Sequence, residues 1–446
     1  MSMVIIANMF SIAVFAGEIE TQVEEQLTEE EAAARAEREA IQNMPIQSNE
    51  ILNWPQGPSV LCEGAILMDA ESGAILYAKN IDNRYFPASI TKALTVLVAL
   101  ENASLTDTVN ITQKSIDFLK YGDAHIGMRI GETISLEDAL YAVLLASANE
   151  VSYAVAESVA GTEEAFIQMM NDTAAELGCK DSHFENANGL HHDNHYTTAR
   201  DMALIASALF SVEESLTIMQ TTQHTIPPTN LVDEARVFQQ NHKMVWPGNR
   251  NYYEPFIAGK TGFTDQARTT LITGADNGEM KLVVVQLKSY GAPDVYENAE
   301  ELFEYGFTNF TKVSLNDKEL PENVEKLMDS QAHIILPIEA SYAEVKTELS
   351  ESEEELIYLY NGNIVGRAEV QLKEEEVVTE QEIEGEEEQE IEKNSGVIIV
   401  VVVGSVISIT VIVAVLVISH KGTLMHKKKL KENRIYRERN RRKRRR

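Results

Sequence analysis

Residues 86–102 have the sequence FPASITKALTVLVALEN, a short turn that leads into an apolar run. Pro87 favours a helix start, and the apolar run predicts a mostly buried helix from Ser89 to Asn102. Because Ser89 and Lys92 are three residues apart, they share one helical face. A lysine can activate a serine hydroxyl if burial and nearby cations lower the lysine pKa. Taken alone, the pattern is also typical of an ordinary N-cap serine.

Two further motifs follow at separations of 58 and 113 residues. Ser147-Ala148-Asn149 comes after an apolar, helix-like stretch, and Lys260-Thr261-Gly262 opens a strand-rich region. Each motif alone carries little information. Together with the first they form the ordered set SxxK, SxN and KTG, which is described for serine enzymes that form acyl intermediates.

The pattern between the motifs is that of an α+β domain. Strands come first, helices follow, and strands and a helix return, which predicts one antiparallel sheet with a helical subdomain. The predicted strands are 64–69, 74–79, 270–275 and 281–287, and the predicted helices are 89–102, 136–145, 151–159, 163–177, 198–210 and 295–307. Residues 311–373 contain short apolar runs and are expected to form a small, separate β-rich module.

The motifs and their surroundings resemble the serine-type D-Ala-D-Ala carboxypeptidases, which are low-molecular-mass penicillin-binding proteins. The resemblance covers about residues 56–310 and extends to the blocks MDAESGAILYAKN, ALYAVLLASANE, HFENANGLHHDNHYTTARDMALIA and AGKTGFT. It implies a penicillin-binding/β-lactamase-like transpeptidase fold without a cofactor. The implied ligands are a peptidoglycan stem peptide that ends in D-Ala-D-Ala, and β-lactam antibiotics as covalent inhibitors.

The resemblance also implies a role for each motif residue in catalysis. Ser89 resembles the acyl-enzyme nucleophile, and Lys92 resembles its general base. Ser147 is similar to the residue that relays a proton to the leaving group. One departure lies beside it, because Ala148 stands where the family commonly has Gly.

The remaining motif residues resemble the substrate-binding set of the family. Asn149 is similar to the residue that holds the substrate amide. Lys260 and Thr261 resemble the groups that bind the substrate carboxylate, and Gly262 lets the strand approach the substrate. The backbone N–H of Phe263 is the implied second oxyanion donor. A second departure follows shortly after, where residue 268 is Arg and the family commonly has Gly.

The charge of the chain is distributed unevenly. The net charge is -32, from 38 Lys+Arg and 70 Asp+Glu, which argues against a nucleic-acid partner. Gly396–Ser419 is an uncharged run of 24 residues and predicts a transmembrane helix. Residues 420–446 hold 14 Lys/Arg and 2 Asp/Glu and are predicted to stay in the cytoplasm, next to membrane lipid.

These features predict a single-pass plasma-membrane protein with an extracytoplasmic body. Residues 1–16 are predicted to be a signal peptide, although no positive charge precedes their apolar run. Residues 17–55 form an acidic segment, and its Glu/Ala-rich part, Glu18 to Glu39, is interpreted as a solvated helix or disorder. Residues 374–395 contain a run of glutamates and are predicted to act as an extended stalk.

Alternative interpretations stay open at this point. His191, His192 and His195 form an HHxxH pattern, but without a completing carboxylate or Cys it gives little support for metal. Cys62 and Cys179 could pair in an exported protein, or stay free as buried thiols. Other functions to be weighed are an endopeptidase or β-lactamase of the same fold, and a catalytically silent wall-binding scaffold.

Overall fold

The computed structural model describes residues 29–373, except 292 and 293. The predicted signal peptide, stalk, transmembrane helix and basic tail lie outside the described residues, and so does the first part of the acidic segment. Between residues 29 and 373 no single helix is long and apolar enough to cross a membrane. The pair Ala199–Phe210 and Glu213–Gln220 meets the length and composition criterion only together, with a bend of 96°.

The described residues form an α+β fold. The strands are β1 (Cys62–Asp69), β2 (Ile75–Lys79), β3 (Thr108–Asn110), β4 (Thr133–Ser135), β5 (Gln223–Ile226), β6 (Arg236–Gln239), β7 (Phe256–Thr264), β8 (Arg268–Asp276), β9 (Lys281–Ser289), β10 (Phe310–Ser314), β11 (Val324–Leu327), β12 (His333–Pro337), β13 (Lys346–Leu349), β14 (Glu355–Tyr360) and β15 (Asn363–Leu372). The α-helices are α1 (Glu29–Gln42), α2 (Lys92–Asn102), α3 (Gln113–Asp117), α4 (Leu136–Leu145), α5 (Asn149–Ala160), α6 (Glu163–Glu176), α7 (Ala199–Phe210), α8 (Glu213–Gln220) and α9 (Asp294–Asn309).

A five-stranded antiparallel sheet in the order β2-β1-β9-β8-β7 forms the centre of the fold. Both faces of this sheet are covered, so alternate residues of one strand enter different cores. Ile66 and Met68 of β1 pack with the helices α2 to α8, while Ala65 and Leu67 pack with α9 on the opposite face. The predicted sheet with a helical subdomain is therefore observed, with helices on both faces.

The predicted elements agree with the observed ones to within a few residues, apart from the first helix. A 3₁₀ turn at Ala88–Thr91 precedes α2, which begins at Lys92 and not at Ser89. The positive φ of Ala88, 51°, is incompatible with a continuous α-helix at this point. Ser89 therefore lies on a tight turn and not within the first turn of α2.

The strands β10 to β15 lie in the segment that the sequence predicts to be a separate module. Their apolar side chains belong to the core that also covers the outer face of the central sheet, where Trp54 contacts Phe310 and Tyr360. The described residues, up to Lys373, fall within one compact unit. This segment therefore shares a hydrophobic core with the domain that precedes it.

The outer edge of β2 is covered by side chains. The side chain of Asn363 donates to the Ile75 carbonyl at 2.6 Å, and the Trp54 indole donates to the Leu76 carbonyl at 2.8 Å. The amide of Ala78 donates to the Ser48 hydroxyl at 3.2 Å. Backbone groups that a missing neighbour strand would leave unpaired are thus satisfied from within the chain.

Candidate active site

The Ser89 turn is held between the sheet and a loop of the helical subdomain. From the sheet, Thr270 of β8 donates its hydroxyl to the Pro87 carbonyl at 2.8 Å. From the other side, Gly189 contacts the turn so closely that a Cβ on it would lie 2.0 Å from the Ala88 carbonyl oxygen. The Ser89 side chain is partly exposed in this position.

Lys92 is fully buried beneath Ser89 and makes three hydrogen bonds. Its Nζ lies 2.9 Å from Ser89 Oγ, 2.7 Å from Asn149 Oδ1 and 2.5 Å from the Asn188 carbonyl oxygen. The amide oxygen and the carbonyl oxygen can only accept, so they take two N–H groups of the amine. A neutral Lys92 then has its lone pair left for the Ser89 hydroxyl, which donates its proton towards it.

The surroundings of Lys92 favour this neutral form. Burial holds the pKa of Lys92 well below its ordinary value, and the nearby Lys260 lowers that pKa further. The carboxylates of Glu150 and Asp123 act in the opposite direction. Desolvation is the largest of these effects, so the amine resists protonation in the folded protein.

Ser147 of the second motif lies next to Lys260 of the third motif. Ser147 has a φ of 60° on the turn between α4 and α5, and its Oγ lies 3.1 Å from Lys260 Nζ. Lys260 also donates to the Thr261 carbonyl at 2.7 Å. Burial lowers the pKa of Lys260 to about 7, so its charge responds to any anion bound near it.

The third motif lies on β7 at the end of the sheet. A Cβ on Gly262 would lie 2.8 Å from the backbone nitrogen of Ser89, so only glycine lets β7 approach the turn this closely. Thr261 is partly exposed, and Phe263 has 65% of its surface exposed. The backbone at 262–263 therefore runs beside the Ser89 amide at the mouth of the site.

The structure thus brings together all three predicted motifs. Hydrogen bonds link the side chains of Ser89, Lys92 and Asn149 in one group, and those of Ser147 and Lys260 in another. An acyl-transfer site needs a nucleophile, a base, a second proton-transfer group and donors for a developing oxyanion. This arrangement supplies a residue for each, while the individual roles stay predictions.

Two groups that the sequence analysis did not single out support Lys92. Asn188 supplies a carbonyl acceptor, and Gly189 provides the close approach described above, at a φ of 81°. The sequence does contain a signal for a turn here, because Asn-Gly is a turn dipeptide with a marked tendency to adopt positive φ. Its position next to Lys92 depends on tertiary packing, which spacing along the chain does not reveal.

Glu150 is a further buried group beside the site. Its side chain has no exposure, its Oε1 accepts from the Ile126 amide at 2.8 Å, and its Oε2 has no hydrogen-bond partner. Burial raises the pKa of Glu150 above its ordinary value. The residue next to Asn149 thus anchors the loop around Ile126.

The histidines of the HHxxH pattern have different surroundings. His195 is buried and bonds Thr91 Oγ1 at 2.9 Å, and burial lowers its pKa to about 3. His191 lies edge-on against Phe86, with ring centroids 4.6 Å apart, and His192 is exposed. Within residues 29–373, apart from 292–293, no group of three His, Cys, Asp or Glu side chains is placed to hold a metal ion. His195 instead supports the turn that carries Ser89.

Both cysteines are free in the structure. Cys62 is buried in the core on the α9 face of the sheet, whereas Cys179 packs against the helical core on the other face. Burial raises the pKa of the Cys62 thiol to about 12. The sheet between the two cores keeps the sulfur atoms from pairing.

Comparisons with known proteins agree with this geometry. The family model Peptidase_S11, described as D-alanyl-D-alanine carboxypeptidase, matches residues 52–290. The chain is 29% identical to the D-alanyl-D-alanine carboxypeptidase DacF of Bacillus subtilis, over 56% of this chain and 62% of the relative. It is 31% identical to DacC of Escherichia coli, over 58% of this chain and 64% of the relative. The matches therefore span less than two thirds of these relatives.

Solved structures share the fold. The Streptomyces K15 DD-transpeptidase is 25% identical with a TM-score of 0.53, covering 57% of this chain and 100% of that one. A D-alanyl-D-alanine carboxypeptidase from Mycobacterium tuberculosis has the same TM-score at 24% identity, covering 58% of this chain and 95% of that one. The predicted transpeptidase-like α+β fold is thereby confirmed for the part of the chain that these structures cover.

Proposed function

The chain belongs to the D-alanyl-D-alanine carboxypeptidase family, and we propose that it removes the terminal D-Ala from peptidoglycan stem peptides through an acyl-enzyme. The observation that carries this proposal is the position of Lys92 Nζ, 2.9 Å from Ser89 Oγ and held by two groups that can only accept. This contact orients a lone pair towards the nucleophile, which is what a general base requires.

In the first step Ser89 Oγ attacks the carbonyl carbon between the two D-Ala residues, and its proton passes to Lys92. The developing oxyanion is stabilised by the amides of Ser89 and Phe263, which the approach of Gly262 brings to one edge of the site. The C–N bond then breaks. The departing D-Ala amine takes the proton that Lys92 removed from Ser89, relayed through the Ser147 hydroxyl, which lies beside Lys260, and Lys92 is left neutral.

The substrate carboxylate binds at Lys260 and the Thr261 hydroxyl. An anion bound there raises the pKa of Lys260 again, so the substrate itself charges the residue that binds it. The positive charge on Lys260 in turn favours a neutral Lys92, because two ammonium groups repel one another. Substrate binding and activation of the base therefore support each other.

Water completes the reaction. Lys92, neutral again, takes a proton from a water molecule that attacks the Ser89 ester, and Ser89 recovers its hydrogen as the ester C–O bond breaks. The products are the shortened stem peptide and free D-Ala. A β-lactam presents a strained amide and a carboxylate to the same groups, so we propose that penicillins acylate Ser89 as well.

We further propose that the enzyme is a single-pass plasma-membrane protein with its catalytic body outside the cytoplasm. The support is the uncharged run Gly396–Ser419 and the basic residues that follow it. In this arrangement the acidic residues 374–395 lift the site away from the lipid surface. An endopeptidase or β-lactamase of the same fold, or a silent scaffold, remain the alternative functions.

One experiment tests the reaction and the location together. A fluorescent penicillin should label the membrane fraction of cells that express the full chain, and the soluble fraction when the chain ends at Lys373. Ser89→Ala should abolish labelling in both, whereas the exposed control Ser314→Ala should retain it. Mass spectrometry of a D-Ala-D-Ala peptide incubated with the enzyme should detect a loss of one D-Ala.

Other outcomes would contradict specific parts of the proposal. Labelling that persists in Ser89→Ala would mean that another residue is the nucleophile. Cleavage of internal cross-links without release of D-Ala would make the protein an endopeptidase, and rapid hydrolysis of the penicillin would make it a β-lactamase. Membrane retention of the shortened chain would show that a second anchor exists.

A further inference from the structure

Helix α1 lies outside the region that the family model matches, yet it packs onto the catalytic body. Its residue Ile41 is buried, and the Ile41 carbonyl accepts from the buried Lys79 amine at 2.9 Å. The Ala34 carbonyl accepts from the Tyr290 hydroxyl at 2.9 Å. Of the two expectations for this part of the acidic segment, the helix is observed, with most of its residues exposed, and these contacts also pack it against the body.

The middle of α1 is anchored by Arg38. Its guanidinium forms two hydrogen bonds to Asp294, at 3.1 and 3.3 Å, and lies 5.5 Å from the ring centre of Tyr290. A paired, fork-shaped contact of this kind fixes orientation as well as distance. The neighbouring residue, Glu37, is therefore presented to the sheet at a defined place.

Glu37 forms an ion pair with Arg268, with 2.8 Å between the carboxylate and guanidinium atoms. Arg268 is the residue at which this chain departs from the glycine that is common in the family. Its φ is 53°, a left-handed conformation that glycine adopts freely and that costs other residues about 1 kcal/mol. An arginine at this position is therefore strained, and its side chain has one partner on the added helix.

Arg268 begins β8 directly after the turn that follows the third motif. It pairs across the strands with Thr264, and the next pair is Thr269 with Phe263. Phe263 supplies the proposed oxyanion donor. A change in the position of this hairpin end therefore moves the Phe263 amide relative to Ser89.

We propose that α1 acts as a strap, in which Glu37 holds Arg268 and thereby keeps the end of the β7–β8 hairpin in place over the nucleophile. Arg268 and Glu37 are positioning residues in this proposal, and its catalytic consequence rests on the proposed function. A helix outside the region that the family model matches, and an arginine where the family commonly has glycine, thus meet in one contact next to the active site.

Hydrogen exchange and acylation of the full chain test the strap. Glu37→Gln should make the amides of residues 261–269 exchange faster, and should lower the saturating rate of penicillin acylation about three- to tenfold with little change in penicillin affinity. The matched control is Glu39→Gln on the same helix, because Glu39 pairs only with the exposed Arg35, at 3.1 Å. This control should exchange and react like the wild type.

Charge exchange and salt provide the decisive comparison. Glu37→Arg and Arg268→Glu should each slow acylation, and the double variant should regain most of the wild-type rate. The two side chains are 37% and 42% exposed, so 0.5 M salt should slow the wild type more than Glu37→Gln. Equal exchange in Glu37→Gln and Glu39→Gln, or a double variant no faster than the single ones, would overturn the strap.

The two proposals fail in different ways. A wild-type protein that no penicillin acylates would overturn the proposed function, while the exchange rates at residues 261–269 would still decide whether the strap exists. Normal acylation of the wild type, together with unchanged exchange and rates in all the variants, would overturn the strap alone.

Discussion

The two buried lysines of the candidate active site differ in the property that the proposed mechanism requires of each. Lys92 must give up its proton to act as a base, and its hydrogen-bond partners leave a lone pair for Ser89. Lys260 must carry a charge when the substrate carboxylate arrives. A guanidinium keeps its charge at any pH at which a protein folds, so substitution by arginine separates these two requirements.

We expect Lys92→Arg to lower penicillin acylation by at least about a thousandfold, since the base is removed. Lys260→Arg should lower it about ten- to a hundredfold, since a cation remains but with altered geometry. Both rates are measured by stopped-flow with one β-lactam, and circular dichroism controls for folding. Equal losses of acylation rate in the two variants would mean that Lys92 and Lys260 do not have separate roles as base and carboxylate-binding cation.

The need for a neutral Lys92 also predicts how the acylation rate depends on pH. Since only the neutral form of Lys92 accepts the Ser89 proton, wild-type acylation should fall as the pH drops through the lowered pKa of Lys92. An acylation rate that stays constant as the pH is lowered, in a protein that remains folded, would show that no titrating base is involved.

For individual residues, the sequence was most informative about which side chains form the candidate active site. All three motifs meet in the structure, and their order and spacing along the chain made them recognisable in the sequence. The carbonyl of Asn188 and the buried carboxylate of Glu150 were not anticipated as parts of the site. A backbone acceptor has no residue-type signature, and burial of a single carboxylate depends on neighbours far away in the chain.

Among the elements, the loop that carries Gly189 packs tightly against the turn that carries Ser89. We expect Gly189→Ala to destabilise the protein by about 3 kcal/mol or more, because a Cβ 2.0 Å from a backbone oxygen forces one segment to move. It should also slow acylation, since Asn188 would shift away from Lys92. Chemical denaturation and acylation rates measure the two effects.

The matched control is Gly178→Ala. Gly178 has a similar φ of 87°, but a Cβ there has no atom within 4 Å. It therefore isolates the conformational strain of alanine, about 1 kcal/mol, from the clash. Equal destabilisation by the two substitutions would mean that the loop around Gly189 yields without affecting the site.

The elements were predicted well where the hydrophobic period is regular and long. The strands β1, β2, β8 and β9 and the helices α4, α6 and α7 lie within two residues of their predicted bounds, whereas β7 was expected only as part of a strand-rich region without stated bounds. Helix α1 was not anticipated as a packed element. Its face towards the sheet carries charge and small residues, so it produces no apolar stripe, and the helix is held by hydrogen bonds and ion pairs.

At the scale of the whole molecule, the contacts of α1 contribute to the stability of the described fold. We expect removal of residues 29–51 to lower the melting temperature by several degrees or more, since Lys79 would lose one of its two carbonyl acceptors while remaining buried. Differential scanning calorimetry of chains 29–373 and 52–373 measures the difference. Identical melting temperatures would show that the fold does not depend on α1.

The side chains along β2 bear on how the protein behaves when many copies are crowded together. An open sheet edge lets a second molecule add a strand, and repeated addition produces aggregates. With the backbone of β2 already bonded by Asn363, Trp54 and Ser48, a second molecule has no continuous row of partners there. These side chains therefore cover the edge of the central sheet that lies opposite β7, the edge strand that carries the third motif.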